Sequence, residues 1–169
     1  MSNPLFSETQ KFKQWWVFFP LILINGLMIW AIYVQIICKI PWGNKPAPDI
    51  VIYMAEAVVV LITLLLFSIR LKTEIKEDGI YYQFSPLQFS LRKKAWADIE
   101  KCYVRQYRPV AEYGGWGMRM GIFGAGRAIN VKGNMGIQLV MKSGKKLLIG
   151  TQKAEEAEKV LKQMGKWME

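Results

Sequence analysis

The chain has 169 residues, 52% of them hydrophobic, and its 23 Lys and Arg against 13 Asp and Glu leave a net charge of +10. That excess suits an anionic partner, either a membrane surface or a nucleic acid. Histidine is absent, which removes the usual general base near neutral pH and the commonest zinc ligand.

Residues 1–14 form a short polar segment ahead of a long apolar run. From Trp15 to Cys38, "WWVFFPLILINGLMIWAIYVQIIC" contains no charged residue. A bilayer core of about 30 Å needs about 20 apolar residues in a helix, so this stretch is long enough to span. A cleaved signal peptide has a shorter apolar core and ends in a small-x-small site. Here the run ends in Gln35, Ile36, Ile37 and Cys38, so a retained span over residues 15–38 is expected. The loop 39–49, with its prolines and glycine, reads as a turn. A second span is expected over residues 50–71, "IVIYMAEAVVVLITLLLFSIRL", antiparallel to the first.

Basic residues set the orientation of such a hairpin. The loop carries Lys39 and Lys45, whereas the other flanks carry Lys11, Lys13, Arg70, Lys72 and Lys76. The expectation is a multi-pass protein of the cell membrane with both termini cytoplasmic. Cys38 and Cys102 then lie on opposite sides, so no disulfide is expected. Glu56 is the ionisable group inside a span, roughly 9 Å below the outer boundary at about 1.5 Å per residue. Intramembrane acids mark functional sites by default. The plainer alternative is a protonated Glu56, or one bonded to Gln35 at similar depth or reached by Lys39.

Beyond Leu71 the apolar period changes to two. Ile80, Tyr82 and Phe84 share one face. Cys102 and Val104 oppose Tyr103, Arg105 and Tyr107. Ile137, Leu139 and Met141 alternate with Gln138, Val140 and Lys142. These are half-buried strands, separated by turns at Asp78-Gly79, Ser85-Pro86, Gly133-Asn134 and Ser143-Gly144. No helix-length apolar pattern lies between strands, which argues for antiparallel pairing. At the end, Thr151 is expected to cap a helix with Glu155, Glu156 and Glu158 early and Lys159, Lys162 and Lys166 late. Its apolar stripe is Ala154, Ala157, Val160, Leu161 and Met164. The expected fold is a membrane α-helical hairpin plus an α+β domain over residues 72–169, a bent antiparallel sheet closed by a C-terminal helix.

Two N-terminal spans, the Gly79-Ile-Tyr-Tyr82 strand, "WADIEKCYVRQY", "EYGGWGMR" and "GTQKAEEAEKVL" together resemble a group of uncharacterised bacterial membrane proteins. The cytoplasmic part of those proteins is a pleckstrin-homology-like (PH-like) domain. The resemblance covers nearly the whole chain and implies the sheet-plus-helix fold, with no activity, cofactor or site residue to carry over. One departure concerns the first hairpin, where lipid-binding pleckstrin-homology domains place Lys and Arg. Here it reads "KEDG", Lys76 to Gly79, which puts the usual phosphoinositide site in doubt.

"GIFGAGRAINVKGNMG", Gly121 to Gly136, invites a nucleotide reading and fails it. In a P-loop, Lys and Ser or Thr would stand where Arg127 and Ala128 stand, and the third glycine of a dinucleotide fingerprint falls on Ile129. Both motifs need a helix after the glycines, and "AINVKGN" reads as strand and turn. Gly114, Gly115, Gly117 and Gly124 instead suit positive φ or bulges where strands bend.

Arg92, Lys93 and Lys94 form the densest basic run; with Arg119, Arg127 and Lys132 they are candidate contacts to anionic headgroups. A solvated charged face is the competing account. Tyr81, Tyr103 and Tyr107 could serve nucleic-acid stacking, but a membrane address argues against it. Asp98, Glu100 and Glu112 are the obvious acids, and they lack metal-ligand spacing. The sequence therefore points to a non-enzymatic membrane-anchored module, without catalytic residue, metal or cofactor, docking on the inner leaflet or on a membrane protein. The alternative is an enzyme or sensor acting on a phosphate-bearing lipid or nucleotide.

Overall fold

The structure is a computed structural model that describes residues 3–122 and 124–168. The chain divides into two compact units, residues 13–68 and residues 1–12 with 69–169.

The first unit is a helical hairpin. Helix α1 spans Trp15–Ile32 and continues as a π turn over Tyr33–Ile37, and α2 spans Asp49–Ser68. Both helices are apolar all round. They meet through a stacked pair, Phe18 and Phe67, with centroids 4.1 Å apart. Asn25 helps join them: its Nδ2 donates to the Thr63 hydroxyl at 3.1 Å and to the carbonyl of Leu21 at 2.6 Å. Across the loop, Gln35 Nε2 donates to the carbonyl of Ala47 and to Asp49 Oδ1.

The second unit is α+β and holds nine strands among the described residues. Strands β1 (Phe6–Lys11), β2 (Arg70–Lys76), β3 (Gly79–Ser85) and β4 (Arg92–Ala95) form an antiparallel sheet in that order. The second sheet takes β5 (Ile99–Gln106), β6 (Gly117–Met120), β7 (Arg127–Asn130), β8 (Met135–Met141) and β9 (Lys146–Gly150) in the order β5-β8-β9-β7-β6. A short helix, α3 (Pro109–Tyr113), follows β5, and α4 (Ala154–Gln163) closes the chain.

One apolar core joins the sheets. Phe6, Leu71, Ile75, Ile80 and Phe84 come from the first sheet; Ile137, Leu139, Leu147 and Ile149 come from the second. Ala157 and Leu161 of α4 complete it, as the stripe in the sequence requires. Thr151 is not the N-cap expected from the sequence: α4 begins at Ala154 with Lys153 as its N-cap and no side-chain cap bond, and the Thr151 hydroxyl instead accepts the N–H of Lys153 in the turn before it.

Several features differ from the sequence-based expectation. There are two sheets in place of one bent sheet, and the second is mixed, because β7 and β9 pair in parallel. The N-terminal segment is not merely a polar leader: β1 pairs with β2 from Phe6↔Ile75 to Lys11↔Arg70. Its polar spacing hid this, since Glu8 and Gln10 point inward at the end of the second sheet. Glu8 accepts hydrogen bonds from the Thr151 hydroxyl at 2.6 Å and the N–H of Gln152 at 2.9 Å, while Gln10 donates to the carbonyl of Gly150. Helix α2 ends at Ser68, and Arg70 and Leu71, which periodicity assigned to the span, lie in β2 with Leu71 wholly buried.

The second sheet is also covered on both faces. On the face away from the main core, Tyr107, Tyr113, Ala128 and Leu148 make a small second core. Gln138 is consequently buried, its Nε2 donating to the carbonyls of Leu139 and Leu147 and its Oε1 accepting from Arg105.

A basic cleft between the sheets

Strand β4 is the outer strand of the first sheet, paired through Ile80↔Lys94, Tyr81↔Lys93 and Tyr82↔Arg92. Residues opposite one another in a ladder share a face, and neighbours along a strand alternate. Arg92 and Lys94 therefore stand on the core side with Ile80 and Tyr82. Lys93 stands on the other side, bonded to Asp78 and lying over the Tyr81 ring. That contact holds the Asp78 carboxyl below its ordinary pKa, with the Tyr81 hydroxyl adding to it.

In the second sheet, Arg127 opens β7, opposite Leu147 of β9, on the face that carries Ile129 toward the main core. The β8–β9 hairpin brings Lys145 and Lys146. Together Arg92, Lys94, Arg127, Lys145 and Lys146 line a cleft of ≈ 330 Å³. Its apolar lining includes Met118, Ile129 and Leu147, and its neutral polar lining is Tyr82, Gln88 and Ser143. Among the described residues no carboxylate lines it.

The charges in the cleft are unmatched. Lys72, Lys76, Lys93, Arg105, Lys153 and Lys162 all have acidic partners, whereas none of the cleft cations forms an ion pair among the described residues. Tyr82 is 5% exposed and lines the cleft. Burial raises its pKa, opposed by the nearby charges of Arg92 and Arg127. Gln88 is also buried; its Oε1 accepts the N–H of Phe84 at 3.2 Å, which leaves the amide Nε2 as a donor facing the cleft.

The expected headgroup contacts thus separate. Arg92, Lys94 and Arg127 converge on the cleft. Lys93 faces away, and Arg119, opposite Ala128 in the β6–β7 ladder, lies on the other face of its sheet, bonded to the carbonyl of Trp116. Lys132 sits in the exposed turn after β7. Sequence reasoning passed over Lys145 and Lys146, although "SGKKLLIG" placed two cations at a hairpin turn. It could not know that this turn would face β4.

The remaining candidates are structural or isolated. Glu112 is held by Arg105 at 2.7 Å and accepts the N–H of Arg108, and the Arg105 side chain keeps its carboxyl below the ordinary pKa. Asp98 and Glu100 are exposed. Among the described residues no group of three His, Cys, Asp or Glu could hold a metal ion. A wider depression of ≈ 550 Å³ beside α3 includes Arg108 and the already paired Glu112. Gly121 and Gly126 close the β6–β7 hairpin, with the Gly121 N–H donating to the carbonyl of Gly126 and a strand following; Phe123 lies outside the described residues. Gly126 has φ +83°, and a Cβ there would strike the carbonyl of Lys146.

Within the helical unit, Gln35 is engaged by the loop and does not bond Glu56, and no ion pair joins Lys39 to it. One carboxyl oxygen of Glu56, Oε2, is buried with no hydrogen-bond partner among the described residues.

A model described as "Family of unknown function (DUF6141)" matches residues 2–164. The chain belongs to this family. No curated protein and no solved structure matches it. Members of DUF6141 carry no assigned activity, so a functional reading has to come from the geometry.

Proposed function

We propose that the chain is a non-enzymatic membrane-anchored module. In this reading α1 and α2 cross the bilayer, both termini are cytoplasmic, and the sheet unit, PH-like in fold, docks on the anionic inner leaflet. One observation carries it. Over Trp15–Ile37 and Asp49–Ser68 the chain is long and apolar enough to cross a membrane, yet only 11% of either stretch is buried. A core helix of a soluble protein would be covered by its own chain; these expose apolar side chains on every side, among them Phe19, Ile29 and Leu64.

The hairpin topology has its own support. Phe12 donates to the carbonyl of Ile69, so the segment between them departs and returns at one point. At about 1.5 Å per residue the 20 residues of α2 reach about 30 Å, the thickness of a bilayer core. Two sheets around one core with α4 closing it support the PH-like assignment. The unpaired cations support the docking.

The test is extraction with alkaline carbonate followed by labelling of intact cells with an impermeant maleimide. The chain should stay in the membrane pellet, Cys38 should label, and Glu155→Cys in a Cys38→Ser background should label only after lysis. Labelling of Glu155→Cys in unbroken cells refutes the orientation. Cys102 is unsuitable as a reporter because it is buried on either side of a membrane.

A further inference from the structure

We propose that the inter-sheet cleft is a headgroup pocket for a lipid bearing a phosphomonoester, flanked by an apolar loop that enters the bilayer surface. This deepens the docking reading above and rests on it for the lipid source.

The lining supplies hydrogen-bond donors almost exclusively. Guanidinium and ammonium groups donate and cannot accept. Arg92, Lys94, Arg127, Lys145 and Lys146 are all of this kind, and Tyr82, Gln88 and Ser143 add further donors. A ligand that satisfies them must be rich in acceptors and multiply charged. A phosphomonoester carries about −1.5 to −2 with three acceptor oxygens, more than a diester offers. The cleft volume, ≈ 330 Å³, lies at the lower end of the range for small-ligand pockets, which fits a headgroup better than a whole nucleotide.

The lipid source is argued from the loop beside the cleft. Between β3 and β4, "SPLQFSL" carries Leu87 at 68% exposure and Phe89 at 93%. The loop is fixed: Gln83 Nε2 donates to the carbonyls of Gln88 and Phe89, and Gln88 N–H donates to the carbonyl of Phe84. Gln88 therefore turns into the cleft while its neighbours Leu87 and Phe89 turn out. Two exposed apolar side chains held next to a cationic pocket match the two zones of a membrane surface, phosphate above and acyl chain below.

A competing account is that Arg92 and Lys94 only discourage the edge strand β4 from pairing with other chains, as inward charges on edges do. That account gives no reason for Arg127, Lys145 and Lys146 to converge from the other sheet.

The experiment uses the full chain in maltoside micelles, titrated calorimetrically with dihexanoyl phosphatidic acid, dihexanoyl phosphatidylglycerol and inorganic phosphate. Phosphatidic acid should bind saturably and more tightly than the other two. Lys94→Gln with Arg127→Gln should weaken it about thirty-fold, the loss of two cations near an anionic surface. Lys93→Gln, which removes the same kind of charge from the other face, should change it by no more than about two-fold. Thermal melting of each variant checks that it is folded. A second arm places an environment-sensitive fluorophore on Phe89→Cys in a Cys38→Ser background, with the chain reconstituted in nanodiscs. Emission should shift to the blue when phosphatidic acid is added to phosphatidylcholine and stay unshifted in phosphatidylcholine alone.

Equal loss from Lys93→Gln would overturn the pocket in favour of diffuse charge, as would absence of saturable binding. Inorganic phosphate binding as tightly as the lipid, or an unshifted fluorophore in both membranes, would overturn the lipid assignment. Failure of the membrane hairpin shows independently, as release by carbonate, while the micelle titration still decides the cleft.

Discussion

The N-terminal strand makes the strongest prediction about how the sheet unit is held together, because in sequence residues 13–68 separate it from the rest of that unit. Phe6 is 1% exposed in the main core, and Glu8, 7% exposed, holds the Thr151 hydroxyl and the N–H of Gln152. Replacing a buried Phe by Ala costs about 3–5 kcal/mol through lost burial and the cavity left behind. Removing the Glu8 carboxylate strands two donors, one of them on a side chain that is 1% exposed, at about 1–3 kcal/mol for each group left unsatisfied in the interior. A domain of this size has a total stability of about 5–15 kcal/mol. Phe6→Ala alone should therefore cost from about a fifth to all of it, and Phe6→Ala with Glu8→Ala should leave the unit largely unfolded at physiological temperature. Amide hydrogen exchange on the full chain in detergent reads this directly. In Phe6→Ala, amides of β2 should lose protection along with those of β8 and β9, since all three share the core. Deleting residues 3–12 should expose the β2 amides that β1 now covers. Unchanged protection of β2 after that deletion would refute the assignment of the strand and, with it, the tie between the chain's beginning and the end of β9.

Other expectations are smaller in scope. Cys102 is buried and its thiol is pushed up to about 12, so only Cys38 should react with a maleimide at neutral pH in the folded protein, and both should react in denaturant, as read by mass spectrometry. The Glu112 carboxyl sits below its ordinary value of 4.5, held first by Arg105, so its stabilising contribution is full above that value and disappears as pH falls through the lowered one; Glu112→Gln should cost about 1 kcal/mol at pH 7 and nothing in acid, by thermal melts across pH. Gly126→Ala forces a residue with a side chain into the left-handed region against the Lys146 carbonyl and should cost more than 1 kcal/mol, roughly the loss expected where native φ is incompatible, whereas Gly26→Ala meets open space. Without ligand, Lys94→Gln with Arg127→Gln should melt no lower than the parent chain by more than about 0.5 kcal/mol, because it relieves like-charge repulsion.

Much of the fold was legible where one physical rule acted alone. The helices over Trp15–Ile32 and Asp49–Ser68 follow from unbroken apolar runs, and β3 from the alternation of Ile80, Tyr82 and Phe84. Legibility failed where two environments were superposed. Strand β1 alternates buried Phe6, Glu8 and Gln10 with exposed Ser7, Thr9 and Lys11, but polar side chains on its inner face erase the hydropathy signal. Gln138 and Asn130 look solvent-facing because they lie on the side of their sheet that α3 and Tyr107 cover later in space. Nothing local to either residue records that lid. The cleft failed for a related reason. A run such as Arg92-Lys93-Lys94 looks like one feature, yet a strand sends its neighbours to opposite faces.

That division decides how the net charge of +10 should be understood. If the excess were a uniform coating, cations would be spread apart or set beside their nearest acid, and the outcome of any substitution would depend on charge count alone. Instead Lys93 is neutralised by Asp78 while Arg92 and Lys94, one residue to either side, share a cleft with Arg127, Lys145 and Lys146 that no acid lines among the described residues. Gathering like charges costs free energy, and a fold tolerates that cost where something else uses the site. Arg92, Arg127, Lys145 and Lys146 remain exposed and Lys94 half-buried while they share one cleft with Ile129, Leu147 and Tyr82, an arrangement that an anionic headgroup with an apolar continuation would complete.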